Sequence, residues 1–465
     1  MPAPKPLVRP LLKTGALARG LSLARLSASA GIRAMRFNVG NLFAADDTRA
    51  GRLATLVTEQ TAAVVRELGL LKGSAMKVGQ MLSMVGDGVL PPQAIALLRT
   101  LQSQAPPLPW PSIEAVLRVE LGAEKLATLE IDPVAVASAS LGQVHRAVRR
   151  SDGARLALKV QYPGVDQAID SDLRVLRRLL GVANLLPGGA RFDDLFDEVR
   201  LMMRQELSYT RELSLTDEHR AHAGGDPRYV LPRTFPELSS PRVLTTSFED
   251  GLAVDGPEVA ALSQERRDAL GLAAFEFTLN ELTRWRCVQT DPHFGNYRIR
   301  VGQDGAPDRI VMFDFGAVRA FDGDFLDRYL TLARGAAGRD AAEIERGARG
   351  LGLLLDGDPP AVCAAVVALA LTVAEPLGPA TPASAPFFTA DGRYRWGESD
   401  LPRRAMRQGG ELVLAASLRA PPREMIFLDR KLGGMFFFLA TLRAVVQVRP
   451  LVEAYLELGA ASSAA

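Results

Sequence analysis

Apolar residues along this chain alternate between helical and strand spacing, and the places where the spacing changes divide it into segments. After Asp46-Asp47, residues Leu53, Leu56, Val57, Val64 and Leu68 share one face at 3.6-residue spacing, which predicts an amphipathic helix. Gly69 and Gly73 interrupt that pattern. A second helix is expected over Met76–Val85, and a third after Pro91-Pro92 through Leu97, Leu98 and Leu101. The proline-rich Ala105–Pro111 reads as a linker, and Ser112 is expected to cap a helix that stops at Gly122. Strand patterning begins near Ala139, and Val144–Arg149 and Leu156–Gln161 flank Asp152-Gly153, a hairpin signal. Val165–Leu180 predicts a helix with Ile169, Leu173, Leu176 and Leu180 on one side, and Phe192–Glu218 reads as one long helix. Val243–Thr246 is a short strand and Arg266–Arg284 a buried helix. Tyr297–Arg300 and Ile310–Phe313 flank the Asp304-Gly305 turn, and beyond Gly316 the pattern predicts helices with no further strand.

This order predicts an α+β fold: a strand-rich small lobe, a helical large lobe and helical extensions, as in a protein-kinase-like bilobal fold with its active site in the inter-lobe cleft. The expected boundaries are an arm over 1–45, a helical extension over 46–111, a small lobe over 112–250 and a large lobe over 251–465. A chain of 465 residues is too long for one core, which agrees with two lobes. With 48% apolar and 23% charged residues, the composition is that of a globular protein rather than a disordered one. Two cysteines, Cys287 and Cys363, supply no disulfide framework and fit a reducing compartment. Residues 1–45 hold seven basic side chains and no acid, so the rest carries −5 against the whole chain's +2. That arm fits a tail touching anionic lipid, an organelle transit sequence or a solvated tail. The longest uncharged apolar stretch, Pro359–Ala374, falls short of the roughly 20 residues that span a bilayer and reads as a core helix.

The chemistry concentrates in Asp291-Pro-His-Phe-Gly-Asn296 and, one hairpin later, Asp314-Phe-Gly316. Moving a γ-phosphoryl group requires a carboxylate facing the acceptor and oxygen ligands that hold Mg²⁺ against the phosphates. Asp291 is expected to face the acceptor, with Asn296 and Asp314 holding the metal; ATP or ADP and Mg²⁺ are the expected cofactors. Lys159, on the strand after the first hairpin, is the candidate for neutralising the α- and β-phosphates. Its orienting glutamate is expected among Glu198, Glu206 and Glu212. The phosphate-facing loop reads Ala137-Ser138-Ala139-Ser140-Leu141-Gly142-Gln143 and is expected before the first strand; its Cβ atoms hold the backbone farther from phosphate than glycines would.

These motifs together resemble the UbiB-like atypical kinases, in the branch associated with coenzyme Q. Lys77-Val-Gly-Gln80 is similar to their Lys-x-Gly-Gln, Ala137–Gln143 to their alanine-rich loop, and Glu206-Leu-Ser208-Tyr209 to their Glu-x-Asp-Tyr. Asp291–Asn296 is similar to their Asp-Pro-His-Pro-Gly-Asn, Asp314–Gly316 to their metal-binding triplet, and Leu428-Asp-Arg-Lys-Leu-Gly-Gly434 to their C-terminal segment. The resemblance implies that Lys77 and Gln80 lie on an extension that folds over the cleft where a protein substrate would dock. It also implies that Glu206 faces that extension or pairs with Lys159. It further implies ATP hydrolysis or phosphoryl transfer in ubiquinone biosynthesis or isoprenoid-lipid homeostasis, with lipid or protein partners of the quinone pathway and no nucleic acid. The implied location is cytoplasmic or peripheral at a membrane, and mitochondrial in a eukaryote. Two departures stand out: Ser208 replaces the family's aspartate, and Gln289 replaces the histidine two residues before Asp291, predicting weaker hydrogen bonding inside that loop. A small-molecule kinase of the aminoglycoside or choline type also carries Asp-x-His-x-x-Asn followed by Asp, but Lys77–Gln80 and the alanine-rich loop argue against it. A nucleotide-binding scaffold without turnover is the third reading.

Overall fold

The computed structural model describes residues 77–79, 81–82, 107–139, 141–182, 191–415 and 422–463. The basic arm, Gln80, Ser140 and most of the expected helical extension lie outside the described residues. The chain divides into two compact units, residues 1–210 with 235–247, and residues 211–234 with 248–465. Arg211–Thr234, read from sequence as small lobe, therefore group with the second unit.

In the first unit, α1 (Trp110–Ala127) leads into a four-stranded antiparallel sheet in the order β1 (Leu129–Ser138), β2 (Gly142–Arg149), β3 (Arg155–Gln161), β5 (Val243–Ser247). Pro109, not Ser112, is the N-cap of α1, and the first helical stretch stops at Gly122 as expected, where φ 78° and ψ 163° make a kink before a second short helical stretch. The first strand lies ten residues earlier than expected. Pro133 hides it, because proline supplies no ladder donor, and the register of β1 against β2 shifts beside it. The Asp132 carboxylate accepts from Val134 N–H at 2.9 Å, and His145 Nδ1 meets Asp132 O at 2.8 Å, so the kink is held. The β2–β3 hairpin turns at Asp152-Gly153, with Gly153 at φ 70°. The expected long helix is two, α2 (Val165–Val182) being followed by α3 (Arg191–Glu206) and α4 (Tyr209–His222). The break has a tertiary cause: the Gln161 side-chain amide donates to Leu207 O at 2.5 Å, taking a carbonyl that a continuous helix would use.

The second unit is built around α6 (Gln264–Asn280), whose Leu270, Ala273, Phe275, Phe277 and Leu279 are buried; a short α5 (Pro257–Ala260) precedes it. Ser263 caps α6 by accepting from Arg266 N–H. A π turn over Glu281–Trp285 ends it, and Arg286 adopts a left-handed conformation. The chain then enters β6 (Cys287–Gln289), which pairs with β9 (Val318–Ala320). The expected hairpin forms from β7 (Tyr297–Arg300) and β8 (Arg309–Met312), with β4 (Tyr229–Val230) added parallel to β8. Helices α7 (Gly323–Gly338), α8 (Ala341–Gly350), α9 (Pro360–Val373), α10 (Leu401–Ala415), α11 (Arg423–Thr441) and α12 (Arg449–Ser463) follow. The stretch after Gly316 is not purely helical: β9, β10 (Tyr394–Arg395) and β11 (Val445–Val446) are strands of two or three residues defined by their partners. Helix α9 occupies the uncharged stretch and buries Val362, Cys363 and Val366. Among the described residues, no helix is long and apolar enough to cross a membrane.

Candidate active site

The residues expected to do chemistry fall in both units, and each half has its own local frame. In the first unit, Lys159 sits in β3 between two neighbours of the sheet, opposite Val144 on β2 and Leu244 on β5. Its Nζ lies 5.2 Å from the Tyr209 ring centroid, a cation–π contact. The alanine-rich segment is not a loop before the sheet but the end of β1 and the β1–β2 connection. Ala137 pairs with Val144 and Ser138 with Gln143, and Ala139 N–H donates to Gly142 O at 2.8 Å. Gly142 is required there by close approach, since a Cβ would overlap the Val160 carbonyl of β3. Gln143 is buried and joins Leu108 through both ends of its amide, at 2.8 and 3.3 Å, which ties the end of the proline-rich segment to the sheet.

Lys77, Val78, Gly79, Met81 and Leu82 are helical and all buried. A buried ammonium needs a counter-charge, and Lys77 Nζ finds Glu206 Oε1 at 2.6 Å. Of the two partners the resemblance offered Glu206, this is the extension. Glu206 thus stands at the end of α3, joined to Lys77, while Glu212 belongs to the second unit. Glu212 is 2% exposed, and its Oε2 lies 3.3 Å from where a Cβ on Gly316 would stand, which puts this carboxylate against the Asp314-Phe-Gly turn.

In the second unit, hydrogen bonds knit Asp291, Asn296 and Asp314 into one frame. The Asp291 carbonyl accepts from Gln289 Nε2 at 2.8 Å and from Asn296 Nδ2 at 3.0 Å. The Asn296 carbonyl accepts from Phe313 N–H at 3.1 Å, the residue before Asp314. With its amide nitrogen committed, Asn296 has its amide oxygen to offer a cation. Asp314 Oδ1 accepts from Gly316 N–H at 2.9 Å, and Thr290 Oγ1 donates to Ala317 O at 2.7 Å. Arg211, on α4, donates to Gly316 O at 3.0 Å and to Val318 O at 2.6 Å.

Gln289 reverses an expectation. Besides Asp291 O, its Nε2 reaches Asp314 O at 3.3 Å, its N–H donates to Glu281 Oε1 at 2.9 Å, and its Oε1 accepts from Tyr297 at 3.4 Å. An amide carries two donors and a two-lone-pair acceptor, so it bridges both strands' ends at once. The loop is therefore densely bonded internally, not weakened. His219 of α4 packs against Phe315 at 4.8 Å between centroids.

Three contacts of this site come from α11, within the Leu428–Gly434 segment that the resemblance singled out without assigning it a partner. Arg430 Nη2 donates to Asp291 Oδ1 at 2.6 Å, Lys431 Nζ pairs with Glu281 Oε2 at 2.6 Å, and a Cβ on Gly434 would overlap Pro292. Glu281 is fully buried and Lys431 nearly so. Burial opposes charge on Lys431, but the Glu281 carboxylate and Tyr297 outweigh it and raise its pKa, so the ammonium is retained. Nothing in local sequence connects positions 139 residues apart.

An Asp–Asn–Asp set on a strand–loop–hairpin carries residue types suited to phosphoryl transfer. Comparison with known proteins decides the family. The model of the ABC1 atypical kinase-like domain matches residues 100–347. The chain belongs to this family. It is 32% identical to the mitochondrial atypical kinase COQ8B of Rattus norvegicus over 394 residues, which cover 84% of this chain and 70% of that protein. It is 30% identical to the mitochondrial atypical kinase COQ8 of Saccharomyces cerevisiae, over 84% of this chain and 75% of that one. A Mycobacterium tuberculosis chain solved in complex with erythromycin is 27% identical, with a TM-score of 0.57, covering 88% of this chain and 98% of that chain. The fold is kinase-like, and the chain is an atypical kinase of the COQ8/UbiB family.

Proposed function

We propose that this atypical kinase binds a Mg²⁺–adenine nucleotide and hydrolyses it or transfers its γ-phosphoryl group in support of coenzyme Q biosynthesis. The observation that carries the reading is the hydrogen-bonded frame that holds Asp291, Asn296 and Asp314 in one loop–strand unit. Asp314 and the Asn296 amide oxygen would hold the metal. Nucleotide phosphates and water would supply the remaining ligands, as Mg²⁺ prefers. Bound Mg²⁺ would neutralise charge on the phosphates. Lys159 contacts the phosphates, the Ala137–Ser140 connection borders them, and Asp291 orients the acceptor. Lys77 and Gln80 belong to the extension, which Glu206 of α3 holds through Lys77 and which limits entry of a polypeptide acceptor. The COQ8 relatives are mitochondrial by name, which favours a quinone-pathway role and an anionic membrane surface as partner.

The test is nucleotide titration with and without Mg²⁺. Asp314→Asn removes one full charge from the metal site, and Mg²⁺-dependent nucleotide binding should be abolished. Unchanged Mg²⁺-nucleotide affinity in that variant sinks the assignment. Hydrolysis assayed with anionic liposomes and a phenolic quinone precursor then separates stimulated turnover from binding alone.

A further inference from the structure

Helix α11 meets the Asp291 loop at three consecutive levels. Lys431 pairs with Glu281, whose other oxygen holds the Gln289 N–H. Gly434, one turn beyond Arg430, lets Pro292 lie directly on the helix. Beside these two anchors Arg430 reaches the side chain of the loop assigned to the acceptor, Asp291. Both partners are largely covered, the Arg430 and Asp291 side chains being 29% and 20% exposed.

We propose that Arg430 is a positioning residue for Asp291, fixing the carboxylate's orientation toward the phosphoryl acceptor; this rests on the proposed nucleotide chemistry of the site. The main chain of the loop does not depend on Arg430, because the Asp291 carbonyl is bonded by Gln289 and Asn296 and the flanking residues by Glu281 and Pro292's packing. What Arg430 touches is a carboxylate oxygen. An aspartate side chain turns about two bonds, and a guanidinium is a directional, permanently charged donor suited to stop that rotation. With Oδ1 held, Oδ2 is the oxygen that takes the acceptor's proton. In that step the acceptor oxygen bonds the γ-phosphorus, the bond from phosphorus to the leaving ADP oxygen breaks, and the proton passes to Oδ2. An exposed ion pair would be worth little, but a positioned catalytic carboxylate is sensitive to small displacements.

The experiment compares R430M, R430K, D291N and the double variant D291N/R430M for kcat and KM of Mg²⁺-ATP hydrolysis, ADP affinity and thermal midpoint. R430M should lose about tenfold or more in kcat, a modest share of what general-base catalysis supplies, with KM and ADP affinity within about twofold. R430K should recover part of the loss, and R430M should cost nothing further in the D291N background. Wild-type or raised kcat in R430M overturns the proposal. So does an equal loss in the D291N background, or a loss that tracks ADP affinity, which would make Arg430 a scaffold residue. If R430M does not fold, R430Q, which keeps a donor without the charge, is read by the same criteria. A fully active R430M beside an impaired D291N defeats this inference alone, whereas a fully active D291N defeats the wider reading.

Discussion

Single residues here act through the bonds they complete. Gln289 links the carbonyls on either side of the site, and replacing it with leucine leaves Asp291 O and Asp314 O without that donor in a buried position. Gln289→Leu should cost about 2–3 kcal/mol in stability and lower turnover. Urea unfolding and steady-state hydrolysis of the variant check both effects, and a variant as stable and active as wild type removes the role assigned to Gln289. Ala139 is the second residue-scale case. Ala139→Gly relieves the Cβ restriction beside Gly142 and should change ADP or ATP affinity, at the cost of a looser β1–β2 connection. Nucleotide titrations identical to wild type would mean that the connection does not border phosphate.

Elements were legible in the sequence where a local signal sufficed. The β2–β3 and β7–β8 hairpins carry Asp-Gly turns between alternating strands, and both form with those strands paired. Where a distant group decides, the sequence was silent. Strand β1 is obscured by Pro133, and α3 ends where Gln161, 46 residues upstream, captures a carbonyl. Strands β9, β10 and β11 are too short for periodicity to register. The Asp–Asn–Asp frame was readable because its members lie close together in the chain, whereas the α11 clamp joins it from 139 residues away. The clamp's deepest contact predicts its own cost. Lys431→Met leaves the fully buried Glu281 carboxylate without its counter-ion and should destabilise the second unit by roughly 3–5 kcal/mol. Adding Glu281→Gln should restore part of that loss in chemical denaturation, and failure to do so would mean that packing, not charge, dominates the contact.

At the scale of the whole molecule, stability should depend on pH through a residue the proposed chemistry does not use. His219 is fully buried, and its Nδ1 lies 2.9 Å from the Leu215 carbonyl, which as an acceptor assigns the proton to Nδ1 and leaves Nε2 unprotonated. Burial pushes its pKa down from the usual 6.5 to about 4; the Leu215 carbonyl opposes this and Lys431 adds to it. Phe315, Trp285 and His222 surround the ring, and the nearest carboxylate, Glu281 at 3.9 Å, is already engaged by Lys431 and the Gln289 N–H. The folded-state value lies below the unfolded one, so the neutral ring's contribution is fully present above about pH 6.5 and is lost as pH falls toward 4. Integrated over that window, the loss is about 3 kcal/mol. Because His219 packs on Phe315 of the Asp314-Phe-Gly turn, the destabilisation should reach the proposed metal site before the chain unfolds globally. Denaturation midpoints between pH 7 and 4 should fall steeply for wild type and less steeply for His219→Gln, with Mg²⁺-nucleotide affinity declining in the same window. Parallel pH profiles for the two proteins would show that the carboxylates, and not this histidine, carry the acid sensitivity.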